Sequence, residues 1–307
     1  MTIVFMGTAE LSCASLEKLA HDKQFHLAAV VTQPDKPKGR EMKLQPSPVK
    51  TLAQKFNLSV LQPAKARDEK FISQLRELKP ELIVVVAYGQ ILPQTILDLP
   101  KFGCINVHTS LLPRYRGASP IQSAILYGET ETGVTIMKMD AGLDTGPILS
   151  QARTPISPED NSQTLHDRLA QLGAELLVKT IPDYAAGEIT PRPQPDDGIT
   201  YAAKIKKEDG KINWQEPAKK ILNQLRAFTP WPGAFTFWNG KLLKIWKAEI
   251  TGDAGNGGQI LSADKSGIVI ACGMNALRIL ELQPEGKRRM NVQEFLAGHS
   301  LDGVVFD

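Results

Sequence analysis

The first half of the chain alternates short runs rich in Val and Ile with helical patterns, and this alternation limits the fold more than any other feature. The strand-like runs are TIVFMG, HLAAVVTQ and ELIVVVAYG, and the helical patterns between them cover residues 9–20, 49–57 and 68–78. Buried strands with helices between them form a parallel sheet that is covered on both faces. The sequence therefore predicts an α/β domain with a doubly wound, Rossmann-like sheet.

The chain continues with CINVH, a helical pattern over residues 120–127, the strand-like runs TGVTIMKMD and PILSQARTPI, and a long helical pattern over 161–186. The sequence pattern then changes, because Pro191, Pro193 and Pro195 occupy every second position within TPRPQPDDG. Neither a helix nor a central strand tolerates such spacing of proline. We therefore predict a first domain over residues 1–189 and a semi-rigid, Pro-rich linker over 190–207.

Residues 208–307 form the predicted second domain, which is rich in short strand-like runs. After a helical pattern over 216–227 come the runs AFTFW, KLLKIWKAEI, GGQILSA, GIVIACG and ALRILELQ. Asn239 and Gly240, between the first two runs, are a strong hairpin signal. Short strands in such succession predict a small antiparallel β-barrel of the OB-like kind.

The 307 residues, of which 42% are hydrophobic, are enough to bury two cores. The start, MTIVFMG, has neither the basic region nor the apolar core of a signal peptide, and no apolar run approaches the ~18 residues of a membrane span. The three cysteines, Cys13, Cys104 and Cys272, are far apart, which fits neither a disulfide framework nor a CxxC metal site. We expect a cytoplasmic protein that has reduced thiols and does not contact a membrane.

The net charge of +3 is small, but the charge is unevenly distributed. From Lys204 onward the chain has 15 Lys and Arg against 11 Asp and Glu, and before it 21 against 22. A basic second domain indicates an acidic partner such as nucleic acid, and an ordinary solvated surface is the alternative. Basic residues concentrate in the segment 34–50, in Lys204, Lys206 and Lys207, and in Lys287, Arg288 and Arg289.

The turn FMGTAELS follows the first strand, where dinucleotide-binding proteins carry GxGxxG. Only Gly7 of that motif is present, so the sequence does not indicate a nicotinamide cofactor. A strand-to-helix turn with Thr8 or Glu10 near the helix N-terminus accounts for these residues. In an open sheet, such a turn also faces the ligand crevice at the carboxyl ends of the strands.

Asn106 and His108 stand two residues apart at the end of the run CINVH, so their side chains share one face of the predicted strand. No Ser or Cys is spaced to form a nucleophilic triad with them. An amide that donates to a developing oxyanion, beside a group that titrates near neutrality, suits group transfer through a tetrahedral intermediate.

The Gly-rich segment MDAGLDTGP supplies two carboxylates, Asp140 and Asp144. An Asp beside His108 would orient the imidazole and could accept a proton from an attacking amine. A plain turn and a metal site are the alternatives. Because no His, Asp or Glu cluster at ligand spacing accompanies them, we expect no metal.

The residues described above resemble those of a known protein family. Asn106, His108, the run SLLPRYRGASPI and Asp144 in DAGLDTGP resemble the signature of the folate-dependent formyltransferases. The segments TQPDKPKGREMKLQPSPVK, VVVAYGQILP and AFTPWPGAF, with the Pro-rich linker, are similar to the methionyl-tRNA formyltransferases within that superfamily, and the likeness runs end to end. Two departures stand out: GTAEL where the family usually has GTP-(D/E)-F, and Thr109 where Gly or Ala usually follows the His.

The resemblance implies a Rossmann-like formyltransferase domain followed by the β-barrel as a tRNA-binding domain. It implies 10-formyltetrahydrofolate as a consumed cosubstrate and methionyl initiator tRNA as the acceptor, with no metal and a monomeric chain. Asn106 and His108 would polarise the carbonyl, and Asp144 would orient the imidazole and help to take the amine proton. The implied folate contacts are Val86, Ala87, Tyr88, Gly89, Gln90, Ile91, Leu92, Ser110, Leu111, Leu112, Pro113 and Asp140. The candidate tRNA contacts are Lys36, Lys38, Arg40, Lys43, Lys206, Lys207, Lys287, Arg288 and Arg289, and the composition of the segment around Arg40 predicts a loop without regular structure.

Two other functions remain as alternatives. A formyltransferase could use a small amine acceptor such as a nucleotide sugar, against which the basic loop and the second domain argue. A noncatalytic RNA-binding protein could keep the same scaffold, against which the intact Asn106, His108 and Asp144 argue.

Overall fold

The computed structural model describes residues 1–38, 43–301 and 304–306, and the chain divides into two compact units. Unit 1 comprises Met1–Pro120, Glu131–Pro155 and His166–Ala202. Unit 2 comprises Ile121–Thr130, Ile156–Leu165 and Ala203–Asp307. The domain boundaries expected at residues 190 and 208 stay a prediction.

The first 202 residues supply eleven described strands and six described helices. In chain order they are β1 (Thr2–Gly7), α1 (Leu11–His21), β2 (His26–Val31), β3 (Lys36–Lys38), β4 (Lys43–Gln45), α2 (Pro48–Lys55), β5 (Val60–Leu61), α3 (Glu69–Glu77), β6 (Leu82–Val86), α4 (Gln94–Leu97), β7 (Cys104–His108), β8 (Arg116–Gly117), α5 (Pro120–Leu126), β9 (Glu131–Lys138), β10 (Ile148–Pro155), α6 (Ser162–Ala186) and β11 (Tyr201–Ala202).

A seven-stranded sheet forms the centre of unit 1, in the order β10-β9-β7-β6-β1-β2-β5. Strands β7, β6, β1, β2 and β5 are parallel, whereas β9 runs antiparallel to β7 and β10 antiparallel to β9. The Val and Ile side chains of β1, β2, β6 and β7 are buried, as a sheet covered on both faces requires. The predicted α/β, Rossmann-like domain is confirmed, and CINVH is one of its inner strands.

Local signals account for the starts of two helices in unit 1. The Ser47 hydroxyl accepts a hydrogen bond from the Lys50 amide at 3.0 Å, and proline stands at the first helical position of α2. The Asp68 carboxylate accepts from the Lys70 amide at 2.9 Å at the start of α3. Each side chain satisfies an N–H group that the helix leaves without an internal partner.

The prediction of a loop without regular structure in the segment 34–50 was wrong, because β3 and β4 pair there as an antiparallel hairpin. An ion pair between Lys50 Nζ and Asp35 Oδ2, at 2.7 Å, ties the base of the hairpin to helix α2. Gln62 also donates to Asp35 Oδ1 at 2.8 Å. These long-range contacts outweigh the weak strand propensity of Lys and Pro. Arg40 is one of residues 39–42, which lie outside the described part of the chain.

The Pro-rich segment forms backbone hydrogen bonds to the rest of unit 1 at several points, so it is not a free linker. Arg192 forms an isolated antiparallel bridge with Ile148, and β11 pairs in parallel with β8. The bridging residue lies between Pro191 and Pro193, so the prolines leave its N–H group available. The segment is therefore bonded to the loop that follows β7 and to the start of β10.

The remaining described elements belong to unit 2, in which one sheet is entirely antiparallel. They are a 3₁₀ turn (Glu208–Gly210), α7 (Ala218–Ala227), β12 (Ala234–Trp238), β13 (Lys241–Thr251), β14 (Ile260–Asp264), β15 (Gly267–Ala271), β16 (Ala276–Pro284), β17 (Met290–Asn291) and α8 (Val292–Leu296). The strand order is β12-β13-β16-β15-β14, with β17 paired to β16. This confirms an antiparallel second domain with strands at the five predicted runs, to which the structure adds β17.

The core of unit 2 packs the apolar face of α7 against the sheet. Ile221 and Leu225 of the helix cluster with Ile245, Leu277 and Leu282 of β13 and β16. Among the described residues, no helix has the length and apolar character that crossing a membrane would need.

Candidate functional site

Strand β7 places the first two candidate residues on one face at its carboxyl end. Asn106 lies opposite Val85 of β6 and Met137 of β9, and His108 lies opposite Thr135. The Asn106 side chain is half-buried, and its carboxamide hydrogen-bonds to no other residue that the structure describes. Strand β7 therefore holds in place a carboxamide that can donate and accept hydrogen bonds to a ligand.

The imidazole of His108 is held by a backbone carbonyl. Its Nε2 atom lies 2.9 Å from the Tyr115 oxygen, and the side chain is 6% exposed. Because a carbonyl oxygen only accepts, Nε2 carries a hydrogen and donates it. In the neutral ring the other nitrogen, Nδ1, is therefore the one that bears the lone pair.

Asp144 faces that second nitrogen. Its Oδ2 atom lies 3.7 Å from His108 Nδ1 and accepts a hydrogen bond from the Gly117 amide at 2.8 Å. The Asp144 side chain is 16% exposed and the His108 side chain 6%. The carboxylate is thus mostly desolvated, in contact with one neutral donor and next to a nitrogen that can gain a proton.

Two backbone conformations in this site are unusual for their residue types. Asp144 has φ of 53° and Tyr115 has φ of 59°, both in the left-handed region that side chains with a Cβ disfavour. Gly117 has φ of 116°, and a Cβ there would lie 2.7 Å from the Ala202 oxygen. Strain of this kind clusters at functional sites, where surrounding contacts hold it.

The predicted folate segment 86–92 follows β6 as a turn with positive φ at Ala87 and Gly89, 43° and 80°. Tyr88 is 2% exposed, and burial raises the pKa of its hydroxyl to about 12. The Gln90 carboxamide oxygen accepts from the Ala66 amide at 2.7 Å, whereas Ile91 is exposed. The backbone N–H groups of residues 89–92 hydrogen-bond to no described residue.

Thr8, in the GTAEL departure, supports this turn. Its hydroxyl donates to the Tyr88 oxygen at 2.9 Å and accepts from the Gln33 amide at 3.3 Å. Gln33 Nε2 also donates to the Tyr88 oxygen, at 2.8 Å. The departure therefore leaves the first strand-to-helix turn bonded to the segment after β6.

The other predicted folate residues differ in their surroundings. Ser110 is buried and its hydroxyl donates to the Arg114 oxygen at 2.6 Å. Leu112 and Pro113 are also buried, and the half-buried Leu111 lies between Ser110 and Leu112. Asp140 is exposed, and its Oδ1 atom accepts from Gly142 and Thr145 at 3.0 and 2.7 Å. The structure brings the trio Asn106, His108 and Asp144 together, with the 110–113 loop buried beside it.

Among the residues the structure describes, no three His, Cys, Asp or Glu side chains are grouped so that they could hold a metal ion. The nearby acidic groups already have protein donors, since Asp144 binds the Gly117 amide and Asp140 binds Thr145.

The candidate tRNA residues whose side chains the structure describes are exposed in both units. Lys36 and Lys43 begin the two strands of the β3–β4 hairpin, and the backbone of Lys38 ends the first strand. Lys206 and Lys207 are exposed beside the 3₁₀ turn of unit 2.

In the last basic cluster, two of the three cations are paired within the protein. Arg288 forms an ion pair with Glu294 at 3.0 Å, and Arg289 pairs with Glu281 and lies 5.4 Å from the Trp246 ring. The Lys287 ammonium pairs with no carboxylate among the described residues.

Sequence analysis missed three residues that surround the trio. Gln194 and Thr200 come from the Pro-rich segment, and Arg116 comes from the RYRG run. Thr200 Oγ1 accepts from the Tyr115 amide at 2.8 Å, and Gln194 bonds both Arg116 and the Asp144 loop. Their bonds join segments about 50 to 85 residues apart, so no local pattern marks them.

Two family models match this chain, one after the other along the sequence. Residues 1–181 match the family described as Formyl transferase, and residues 204–300 match Formyl transferase, C-terminal domain. The methionyl-tRNA formyltransferase of Geobacter sulfurreducens is 50% identical over 302 residues, covering 98% of this chain and 95% of the relative. That of Caldanaerobacter subterraneus subsp. tengcongensis is 51% identical over 309 residues, covering 99% of both.

Two solved structures show the same fold at low identity. WlaRD, a sugar 3N-formyl transferase, has a TM-score of 0.67 at 22% identity, covering 94% of this chain and 99% of that one. HypX from Aquifex aeolicus, in complex with tetrahydrofolic acid, has a TM-score of 0.65 at 17% identity, covering 98% and 48%. Because the family match spans more than half of the chain and the relatives match it nearly end to end, this chain belongs to the formyl transferase family.

Proposed function

We propose that this chain transfers the formyl group of 10-formyltetrahydrofolate to the α-amino group of methionyl initiator tRNA, for use in translation initiation. The family match supports formyl transfer, and the two relatives at about half identity, both named methionyl-tRNA formyltransferase, support this acceptor. The enzyme would act in the cytoplasm as a monomer, with folate and tRNA as its partners.

The observation that carries the proposal is the convergence of Asn106, His108 and Asp144. A carboxamide with no hydrogen-bond partner among the described residues and an imidazole with one nitrogen already bonded lie two residues apart on β7. The carboxylate that faces the second nitrogen, at 3.7 Å, comes from a different loop. Formyl transfer needs these three functions: an oxyanion donor, a group that titrates near neutrality and a proton acceptor.

The chemistry can be followed atom by atom. The uncharged α-amine attacks the formyl carbon, and the carbonyl oxygen takes negative charge in a tetrahedral intermediate. Asn106 donates to that oxygen, and His108, protonated at Nδ1, donates a second hydrogen bond. The amine then loses a proton to the Asp144 carboxylate, and His108 gives its Nδ1 proton to N10 of the folate as the bond between N10 and the formyl carbon breaks; transfer of the proton from Asp144 to Nδ1 restores the starting state.

The segment after β6 suits the pterin of the donor. Its N–H groups at residues 89–92 have no acceptor among the described residues, and a pterin presents an amide-like edge that such groups can bind. Ile91, in this segment, and Leu143, between Asp140 and Asp144, are exposed apolar side chains. Asp140, with Ser110 to Pro113, completes the proposed folate site.

The acceptor would be held through its phosphates. Lys36, Lys38, Arg40 and Lys43 on the hairpin of unit 1 are proposed to contact the acceptor end. On unit 2, the proposed contacts are Lys206, Lys207, Lys287, Arg288 and Arg289. Contacts of this kind position a nucleic acid without reading its sequence.

No metal takes part in the proposed reaction. Dialysis against a chelator should leave the rate of formyl transfer unchanged. If the chelator abolished activity and a divalent ion restored it, the carboxylates of the Asp140–Asp144 loop would be metal ligands.

The experiment that tests the function is an acceptor screen with 10-formyltetrahydrofolate as donor. Charged initiator methionyl-tRNA should be formylated far faster than charged elongator methionyl-tRNA, free methionine or an amino sugar nucleotide. Preference for the amino sugar would make the chain a small-amine formyltransferase. Binding of tRNA with no formyl transfer to any acceptor would make it an RNA-binding protein.

A further inference from the structure

We propose that Gln194, in the Pro-rich segment, is a positioning residue for formyl transfer that holds the Asp144 loop so that its carboxylate faces His108. The inference rests on the proposed function and extends it to a part of the chain that looks like a linker in the sequence. It concerns residues of unit 1 alone.

The Gln194 side chain binds the Asp144 loop through its nitrogen. Nε2 donates to the backbone oxygen of Asp144 at 2.7 Å and to that of Gly146 at 2.8 Å. An amide NH₂ group has two hydrogens, so both are used on this loop. The two bonds fix the peptide planes between Asp144 and Thr145 and between Gly146 and Pro147.

The oxygen of the same carboxamide fixes its orientation. Arg116, which is 7% exposed, donates to Gln194 Oε1 from Nε at 3.1 Å and from Nη2 at 2.7 Å. A guanidinium can only donate, so the carboxamide oxygen must face it and the NH₂ group must face the loop. Reversing the carboxamide would break all four bonds.

The Asp144 loop needs such support because of its backbone. With φ of 53°, Asp144 occupies the left-handed region, which is sparsely populated for residues other than Gly and Asn. From this backbone position the carboxylate faces His108 Nδ1 and accepts from the Gly117 amide. Without the two bonds from Gln194, the loop would lose contacts that hold that conformation.

The Pro-rich segment supports the other partner of the pair as well. Thr200 Oγ1 accepts from the Tyr115 amide at 2.8 Å, and the Tyr115 oxygen accepts from His108 Nε2 at 2.9 Å. Pro193 and Pro195 flank Gln194 and restrict the backbone of the segment, so less backbone entropy is lost when the segment is held in place. One segment therefore sets the positions of both His108 and Asp144.

The variants that test this are Gln194→Ala and Gln194→Glu in the full chain, with Asp196→Ala as the matched control in the exposed part of the same segment. Gln194→Glu keeps an acceptor for Arg116 but removes the donor to the loop, so it folds while lacking the proposed contact. We expect kcat to fall by about ten- to a hundredfold in both Gln194 variants, with KM for folate and tRNA within about twofold of wild type, because small misplacement of a reacting group costs rate. The control should match wild type.

A double-mutant cycle separates positioning from general damage. Single-turnover rates are measured for Asp144→Asn and for Asp144→Asn with Gln194→Ala. If Gln194 acts through the Asp144 carboxylate, adding Gln194→Ala should change the rate of the Asp144→Asn enzyme by less than about twofold. Full multiplication of the two losses, or kcat within twofold of wild type for Gln194→Ala or Gln194→Glu, would overturn the proposal.

The test also distinguishes this proposal from the proposed function. A wild-type enzyme that forms no formyl-methionyl-tRNA contradicts the function, whatever the Gln194 variants do. An active wild type with equally active Gln194 variants contradicts only the positioning role.

Discussion

The Nε2 atom of His108 lies 2.9 Å from the backbone oxygen of Tyr115, and this contact assigns the ring's protons. It leaves Nδ1 as the nitrogen that gains or loses a proton, next to Asp144 Oδ2 at 3.7 Å. The carboxylate faces this nitrogen from just beyond hydrogen-bond distance. The imidazole can therefore donate to an oxyanion and exchange a proton with the carboxylate without turning.

Asn106→Ala should slow formyl transfer without weakening binding. Loss of one positioned oxyanion donor typically costs ~10² to 10³ in rate, and the carboxamide has no structural partner among the described residues whose loss would unfold the strand. Measured kcat should fall in that range while KM values stay near wild type. Asn256→Ala, at an exposed position of unit 2, is the control. An Asn106→Ala enzyme within tenfold of wild type would remove Asn106 from the oxyanion site.

The salt dependence of tRNA binding should identify the phosphate contacts of unit 2. The slope of log affinity against log salt should shrink by about one unit for each phosphate contact removed. Because Arg288 and Arg289 already pair with Glu294 and Glu281, we expect Lys206, Lys207 and Lys287 to account for most of the slope.

The comparison uses a triple alanine variant of those lysines beside a double variant of Arg288 and Arg289. Direct titration of charged tRNA at four or more salt concentrations gives each slope. An unchanged slope in the triple lysine variant would place the tRNA surface elsewhere, and a larger change in the arginine variant would show that the ion pairs open on binding.

Arg40 stays a prediction, since it lies outside the described residues. A guanidinium binds phosphate bidentately where an ammonium cannot, so Arg40→Lys should be impaired at subsaturating charged tRNA and Arg40→Ala more so. Folate binding should remain near wild type in both. Limited proteolysis should cut near this position in the free enzyme and be slowed by initiator tRNA. Equal activity of Arg40→Ala and wild type would contradict a role of Arg40 in binding tRNA.

The cysteines should resist alkylation at neutral pH. Burial, with the charges of Glu10 and Glu17, raises the pKa of Cys13 to about 11, and burial, with Asp98, raises that of Cys104 to about 12. The thiolate is the reactive form, so the rate of native-state alkylation should keep rising from pH 9 to about 11 at Cys13. The unfolded chain releases these protons near pH 9, so stability should fall as pH rises through the same window. A plateau near pH 9 for native Cys13 would contradict its burial.

The sequence predicted the main strands because each carries a strong local signal. The Val and Ile run of β6 and the run CINVH of β7 are buried strands with no competing pattern. The direction of a strand could not be predicted in the same way, because the residue pattern of a parallel strand and of an antiparallel strand is the same. The antiparallel directions of β9 and β10 are known only from their pairing in the sheet. The hairpin of β3 and β4 was missed because Lys and Pro dominate its strands.

The reacting groups were predicted, but their supports were not. Asn106, His108 and Asp144 stood out as chemically distinctive residues next to an apolar run and in a Gly-rich loop. Gln194 is a neutral residue in a Pro-rich segment, and its role depends on bonds to Arg116 and to the Asp144 loop. Contacts of this kind form between segments that are distant in the sequence, so no local pattern in the sequence predicts them.

The central claim is that Asn106, His108 and Asp144 transfer a formyl group to methionyl initiator tRNA. The most direct measurement is the single-turnover rate of formyl-methionyl-tRNA formation, with excess enzyme and 10-formyltetrahydrofolate, for wild type, His108→Ala and Asp144→Ala. We predict rapid formylation by wild type and rates lower by about a hundredfold or more in each variant, with tRNA affinity little changed. Formylation within tenfold of wild type in either variant, or none by wild type, would contradict the account.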